Sequence, residues 1–436
     1  MTPTASDIRN AVRRQKQDVA ALFAALSAGS RVGDGITRDS YGAGEEFAHQ
    51  LIAAHAVGMG LETRRDHAAN LFMTLPGSNR GAPRLMTGSH LDSVANGGNF
   101  DGAAGVIAGL VASKALQHLD LQPHCDITTL AIRAEESVWF QVSYIGSRSA
   151  FAMLPAGALE AKRVDTGRSL AEHMAECGAS VDAVRRGDAS LDAGSIKAFV
   201  ELHIEQSPQL IEAGLPLGIG TGIPGNFRYP AVKILGEYAH VGLARRFRRD
   251  AVIAASEFAL GLDEIWRQSE AAGRPMAFTI ERFFTDPREH ALTKVAGELI
   301  FSLDVRAYSA AHLSELEAQV LDLASGIAKQ RGVHFEFGGR ASAEVAPSHP
   351  QLVGKLTDCA AALGVASMPL ASPASHDTAT FTVAGVPSAM LFVRNANGSH
   401  NPREAMEIDD FLEGAGVLTA WLVGEAAPIQ RPQRTR

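Results

Sequence analysis

The stretch from residue 84 to residue 133 constrains the fold most. Residues 84–89 and 126–133 read as buried strands, and the apolar run 103–116 between them, broken only by Lys114, reads as a buried helix. Strand, crossover helix and strand make a βαβ unit, which calls for an α/β domain with helices on both sheet faces. Further strands are expected at 197–205 and 387–393, and further helices at 351–362 and 409–423. At 436 residues the chain is too long for one simple core, so two domains are expected.

The middle of the chain reads differently. A strand at 229–239, a helix at 248–269, strands at 276–284 and 297–307, a helix at 310–330 and a strand at 333–338 give the order β-α-β-β-α-β. That order is the split βαβ, or ferredoxin-like, pattern. The strongest metal-ligand candidates all fall before it or after it. We therefore expect an α/β domain made of residues 1–214 and 342–436, interrupted by an inserted α+β domain over 215–341.

The formal net charge of -8 argues against nucleic acid as the main partner, because phosphates need a basic face. The three cysteines, Cys125, Cys177 and Cys359, are far apart and odd in number, which fits a reducing cytoplasm rather than a disulfide framework. Residues 1–19 hold no apolar signal core, and no run approaches the roughly 20 apolar residues of a membrane span. No membrane partner is expected. The tail 428–436, rich in Pro, Gln and Arg, reads as frayed.

Five segments concentrate metal-type side chains at expected strand ends: Gly88-Ser-His-Leu-Asp92, Asn99-Phe-Asp-Gly102, Ala134-Glu-Glu136, Glu201-Leu-His-Ile-Glu205 and Gly398-Ser-His-Asn-Pro402. Open α/β sheets collect ligands at the carboxyl ends of their strands, so one domain can bring all five together. His90 stands two residues before Asp92, on the same face of a strand, and Asp92 can accept from the imidazole nitrogen that does not bind metal. Asp101 lies in a Gly-rich loop, and its two oxygens can bridge two cations. Glu135 and Glu136 are adjacent and point to opposite sides of an extended segment. One can bind metal while the other takes a proton from activated water. Taken alone, a His-x-Asp is more often a hydrogen-bonded pair and a Glu-Glu more often a solvated face. The order of all five lifts the signal.

That order resembles the hydantoinase/carbamoylase amidase family of the metal-dependent aminoacylase and carboxypeptidase superfamily, which includes N-carbamoyl-L-amino-acid hydrolases, β-ureidopropionases and allantoate amidohydrolases. The matching text is GSHLDSVANGGNFDGAAGVIAGL (88–110), AEES with YIGSR (134–148), ELHIEQSPQLIEAG (201–214), GEYAH and RRDAV (236–252), LDVR (303–306), SHD (375–377) and SHNP (399–402). The resemblance implies a catalytic α/β domain with a mixed sheet and a dinuclear metal site, and an inserted lid through which two chains form a homodimer. It implies two divalent ions, with Asp101 bridging, His90 and His203 completing one site, and Glu136 and His400 the other. Zn or Mn suit such mixed donors, as do Co or Ni. Glu135 becomes the general base and then the acid. His240 matches a lid histidine that reaches the partner's active site to stabilise the oxyanion. Gln206 and Arg306 match residues that hold the amide and carboxylate ends of a small ureido or amide substrate.

The lid also departs from the family pattern. His240-Val-Gly-Leu-Ala-Arg245 stands where relatives commonly have His-Ala-Gly-Thr-Thr-Pro, and Glu289-His-Ala-Leu-Thr-Lys294 replaces an Asn-rich stretch, leaving His290 or Thr293 as the substitute donor. Ser207 replaces a usual Gly, and Trp139 a common Arg. An intact ligand set with altered lid segments implies hydrolysis of an altered substrate. The competing readings are a dinuclear-metal peptidase or N-acyl amino acid deacylase, and a non-catalytic relative that binds small ligands. The intact Glu135–Glu136 pair weighs against the last.

Overall fold

The computed structural model describes residues 3–427, 429 and 430. The tail expected to fray lies outside these residues, except Ile429–Gln430, whose backbone pairs with Leu121–Gln122. The chain divides into two compact units. The first runs to Gly222 and resumes at Pro347, and the second spans Ile223–Ala346.

The first unit opens with helices α1 (Ala5–Arg13), α2 (Lys16–Ser30) and α3 (Ala43–Gly58). Strands β1 (Glu62–Arg65), β2 (Leu71–Leu75) and β3 (Arg84–His90) follow, then α4 (Ala103–His118), β4 (Ile127–Ile132), β5 (Ile196–Ile204) and β6 (Leu217–Ile223). The second unit supplies β7 (Gly225–Leu235), α5 (Ala251–Ala271), β8 (Met276–Thr279), β9 (Glu298–Ala307), α6 (Ala310–Arg331) and β10 (His334–Glu336). The chain then returns to the first unit with β11 (Ala346–Pro347), α7 (Pro350–Ala362), β12 (Ser367–Ala371), α8 (Asp377–Val383), β13 (Ser388–Val393) and α9 (Ile408–Ala426).

The large sheet is mixed and nine-stranded, in the order β11-β6-β13-β5-β3-β4-β2-β1 with β12 beside β6. Its centre, β13-β5-β3-β4, is parallel throughout. These strands are buried on both faces, so they read as continuous apolar runs rather than alternating ones. Helix α4 packs on β3 with α9 and α1 against its other side. Its Ala and Gly residues allow this close approach: a Cβ on Gly105 would stand 2.2 Å from the Leu202 carbonyl oxygen.

The first-unit boundary falls later than the expected residue 214. Leu217–Ile223, Gly-rich and expected to open the inserted domain, is a strand of the large sheet. Its glycines are contact positions, since a Cβ on Gly218 or Gly220 would come within 2.8 Å of Leu370 or Met390. The return falls at 346–347 rather than 341–342.

In the second unit the antiparallel order is β8-β9-β7-β10, the ferredoxin-like arrangement for β-α-β-β-α-β. Leu299, Phe301, Leu303 and Val305 of β9 enter the core with α5 and α6, while Asp304 and Arg306 lie on the opposite face. Helix α5 is capped by Asp250, which accepts from Val252 and Ile253 N–H at 3.1 Å. Strand β7 starts and ends earlier than the expected 229–239. Pro230, which lacks an N–H, sits in a register shift between Tyr229 and Val232, and the strand ends before Gly236. The expected strand 276–284 is two, Met276–Thr279 and Phe283–Phe284.

Candidate metal centre

Four neighbouring parallel strands deliver the site from their carboxyl ends. β3 ends on His90, β4 leads into Ala134-Glu135-Glu136, β5 carries His203 one residue from its end, and β13 leads into the loop that holds His400. Asp101 sits in the turn before α4, where Gly102 adopts φ +66 and a Cβ would strike the His90 ring at 2.5 Å.

The structure brings His90, Asp101, Glu136, His203 and His400 together. Asp101 Oδ1 faces His203 Nε2 at 3.1 Å and His90 Nε2 at 3.4 Å. Its other oxygen, Oδ2, faces His400 Nε2 at 3.5 Å, which in turn lies 3.2 Å from Glu136 Oε1. The result is two ligand triads, His90–Asp101–His203 and Asp101–Glu136–His400, that share Asp101, with the donor atoms of each within 4.8 Å of one another. The ring orientations fit a cation. His203 Nδ1 faces the Ile204 carbonyl at 2.9 Å, and His90 Nδ1 the Asp92 carbonyl at 3.0 Å. A carbonyl only accepts, so the proton of each neutral ring belongs on Nδ1, and the Nε2 lone pair points at Asp101. Three imidazoles and two carboxylates are donors that suit divalent transition ions.

The electrostatics draw positive charge here. The Glu136 hydrogen bond and charge lift His400 to about 9. Against the upward push of burial, His203 and His90 hold Asp101 well below the usual carboxylate range. Glu135 behaves oppositely. Burial, opposed by His90 and reinforced by Glu136, Asp377 and Asp92, holds its carboxyl well above the ordinary range.

Asp92 does more than orient His90, whose Nδ1 it meets at 3.2 Å. Its two oxygens also accept from Glu135 N–H at 3.0 Å and Glu136 N–H at 3.1 Å, and Ser40 donates at 2.6 Å. One buried carboxylate thus sets a histidine and both glutamates. Gln206 Nε2 donates to Asp101 Oδ2 at 2.9 Å.

Several residues that sequence reasoning did not single out complete the support. Glu404 accepts from Phe100 N–H at 2.7 Å and Asp101 N–H at 3.2 Å, so the far end of the chain fixes the Asp101 loop. Ser399 bridges Asp101 and Glu404. Arg38 is fully buried and donates to Leu91 O at 2.6 Å and Asn99 Oδ1 at 3.2 Å. Burial holds His376, in the Ser-His-Asp segment, well below the usual histidine range, and its ring centroid lies 4.4 Å from that of His203. Gly98 leaves room for the Glu404 carboxyl, since a Cβ there would stand 2.2 Å from its carboxyl carbon.

The remaining expected residues belong to the second unit and keep local partners there. His240 is exposed, at the end of the two-residue strand Ala239–His240, and its Nδ1 accepts from Gly242 N–H at 3.1 Å. His290 is exposed and hydrogen-bonds Thr285 at 2.7 Å. Arg306 donates to Asp304 at 3.0 Å with about a third of its side chain exposed (32%).

A sequence profile of the peptidase family M20/M25/M40 matches residues 86–423, a span that contains all five candidate ligands. The chain belongs to that family. Within the M20 family it is similar to an N-carbamoyl-L-amino acid amidohydrolase of Geobacillus stearothermophilus, 33% identical over 91% of this chain and 95% of the relative. It is also similar to an allantoate amidohydrolase of Escherichia coli strain K12, 30% identical over 91% of this chain and 94% of the relative. Among solved structures, a hydantoinase/carbamoylase family amidase from Burkholderia ambifaria superposes with a TM-score of 0.80 at 26% identity, covering 95% of this chain and 98% of that one. M20 membership and these relatives make the chain a metal-dependent hydrolase of the hydantoinase/carbamoylase group.

Proposed function

We propose that the chain cleaves a carbon–nitrogen bond in a small carboxylate-bearing ureido acid, such as an N-carbamoyl amino acid or allantoate, with two divalent ions. The observation that carries this reading is Asp101, whose two oxygens each front a separate ligand set. His90, Asp101 and His203 would hold one ion and Asp101, Glu136 and His400 the other, with Zn or Mn the leading choices and Co or Ni compatible. Such ions supply Lewis acidity and lower the pKa of water.

Glu135 takes the proton of the attacking water and returns it to the leaving nitrogen as the C–N bond breaks. Burial suits it to that exchange, because a carboxyl held above its usual range is a stronger base towards the water proton than an exposed one. Gln206 donates to the substrate's amide end, Arg306 and His290 to its carboxylate, and His240 to the oxyanion. The names of the relatives support the substrate class, since each describes an enzyme of a ureido acid. We further propose that two chains pair through the second unit, residues 223–346, as a lid and dimerisation domain. All three cysteines are free, which supports a cytoplasmic setting.

The test is a panel of ureido acids and N-acyl amino acids offered to the Zn- and Mn-loaded protein. Ammonia released from a ureido acid supports the reading. Turnover of N-acyl amino acids or dipeptides without ammonia overturns it in favour of a deacylase or peptidase.

A further inference from the structure

The second unit carries a cleft of about 740 Å³ whose lining is strongly basic. Arg245, Arg246, Arg248 and Arg249 line it together with Lys329 and Arg331 from the end of α6. Glu237 is the only acid in the lining. On a chain with net charge -8, so many like charges around one hollow repel one another unless something negative sits among them.

Three of the six have internal work. Arg249 pairs with Glu237, Arg331 pairs with Glu257, and Arg248 donates to the carbonyls of Leu243 and Val241. Arg245, Arg246 and Lys329 are exposed and form no ion pair among the described residues. Glu257, whose charge Arg245 acts on, is already bound by Arg331. The Arg246 guanidinium lies over the Phe247 ring, 4.5 Å from its centroid, a contact that leaves its N–H groups free to donate. The run Arg245–Phe247 forms a single 3-10 turn that sets successive arginines along the rim.

We propose that this cleft binds a small polyanion through phosphate or carboxylate oxygens, at a site whose whole lining lies in the second unit. Guanidinium forks match either group bidentately. The hollow is of the size that holds a small molecule, and the acidic balance of the rest of the chain disfavours an extended nucleic acid. The inference is independent of the substrate proposed above, because none of the side chains proposed to touch the metals or the substrate lines the cleft.

Hydrogen–deuterium exchange and titration calorimetry on the full-length, metal-loaded protein test it, with inorganic phosphate, ADP and succinate as separate probes and a short RNA oligomer as the competing ligand. Protection of 245–249 and 329–332 by phosphate or ADP identifies a phosphate site, and protection by succinate a carboxylate site. The double variant Arg245→Ser/Arg246→Ser should weaken that binding by about tenfold or more, the scale of losing a charge-assisted pair. Glu237→Gln, which removes the acid from the lining, should tighten it, a gain that misfolding cannot imitate. Binding left unchanged in both variants, no protection by any of the three probes, or tighter binding of the RNA oligomer than of ADP would overturn the proposal.

Discussion

Asp101 and Glu135 divide the labour of carboxylates by environment. Asp101 is ringed by imidazoles and held ionised, whereas Glu135 is buried beside other acids and pushed towards its protonated form. Replacing Glu135 by Gln keeps the shape but removes proton transfer. We expect kcat to fall by about 10²- to 10⁴-fold, the usual contribution of a general acid–base, while metal content by mass spectrometry stays near that of the unmodified protein. A drop in metal content would make Glu135 a ligand instead. Arg306 is the residue where local pairing and function compete, because it donates to Asp304, which Arg228 also binds. With Arg228 available to neutralise Asp304, Arg306 can turn its fork to a carboxylate. Arg306→Lys should raise KM for carboxylate substrates and cost about 2–4 kcal/mol in kcat/KM, with metal content unchanged. Near-normal KM in both the Lys and Ala variants would place the carboxylate clamp elsewhere.

At the scale of elements, the site depends on strands whose ends coincide. Gly88, on β3 at φ +138, meets the neighbouring strand so closely that a Cβ would lie 2.0 Å from the Leu130 carbonyl oxygen. Gly88→Ala should therefore destabilise the protein by about 2–4 kcal/mol, since neither backbone can yield and the φ is strained for any side chain. Thermal melting checks it, with loss of the bound metal expected alongside because His90 is two residues on. The parallel strands and crossover helix were legible in the sequence because burial on both faces leaves short apolar runs that end at polar, metal-type residues. Less legible was β6, whose glycines look like a linker until the side chains of Leu370 and Met390 occupy the room they leave. Also hidden was the shift of β7 around Pro230. The five clustered side chains could be picked out by residue type and order, whereas Glu404 and Arg38 could not. Their work is to hold backbone groups of the Asp101 loop, and only the folded chain shows where that loop lies.

For the whole molecule, metal binding and folding should be coupled. The first unit buries Asp101, Glu135 and Glu136 close to Asp92 and Asp377, a concentration of acid that cations would offset. Chelation should lower the melting temperature, and restoring Zn or Mn should recover it. Free ion at about 1,000 times its Kd contributes about 4 kcal/mol by mass action. An unchanged melting curve would argue that the ligand cluster stays empty in solution. Light scattering at micromolar protein should report a dimer, and a variant lacking residues 223–346 should be monomeric if the second unit makes the contact. A stable monomer of the intact chain would refute that pairing.

The order of the strands has one more consequence. β13, which leads into His400, follows both β5 and β6 in the sequence, yet it lies between them, and Glu404 of the same loop holds Asp101 in position. A ribosome releases the chain from its amino end, so His90, Asp101, Glu136 and His203 emerge long before the strand and loop that complete them. The nascent protein would thus have a gap in the middle of its sheet and only part of its candidate ligand set until β13 and the loop after it have been made. Under the proposed metal assignment, a chain truncated before β13 would lack one of its ligands, His400, as well as the loop that holds Asp101.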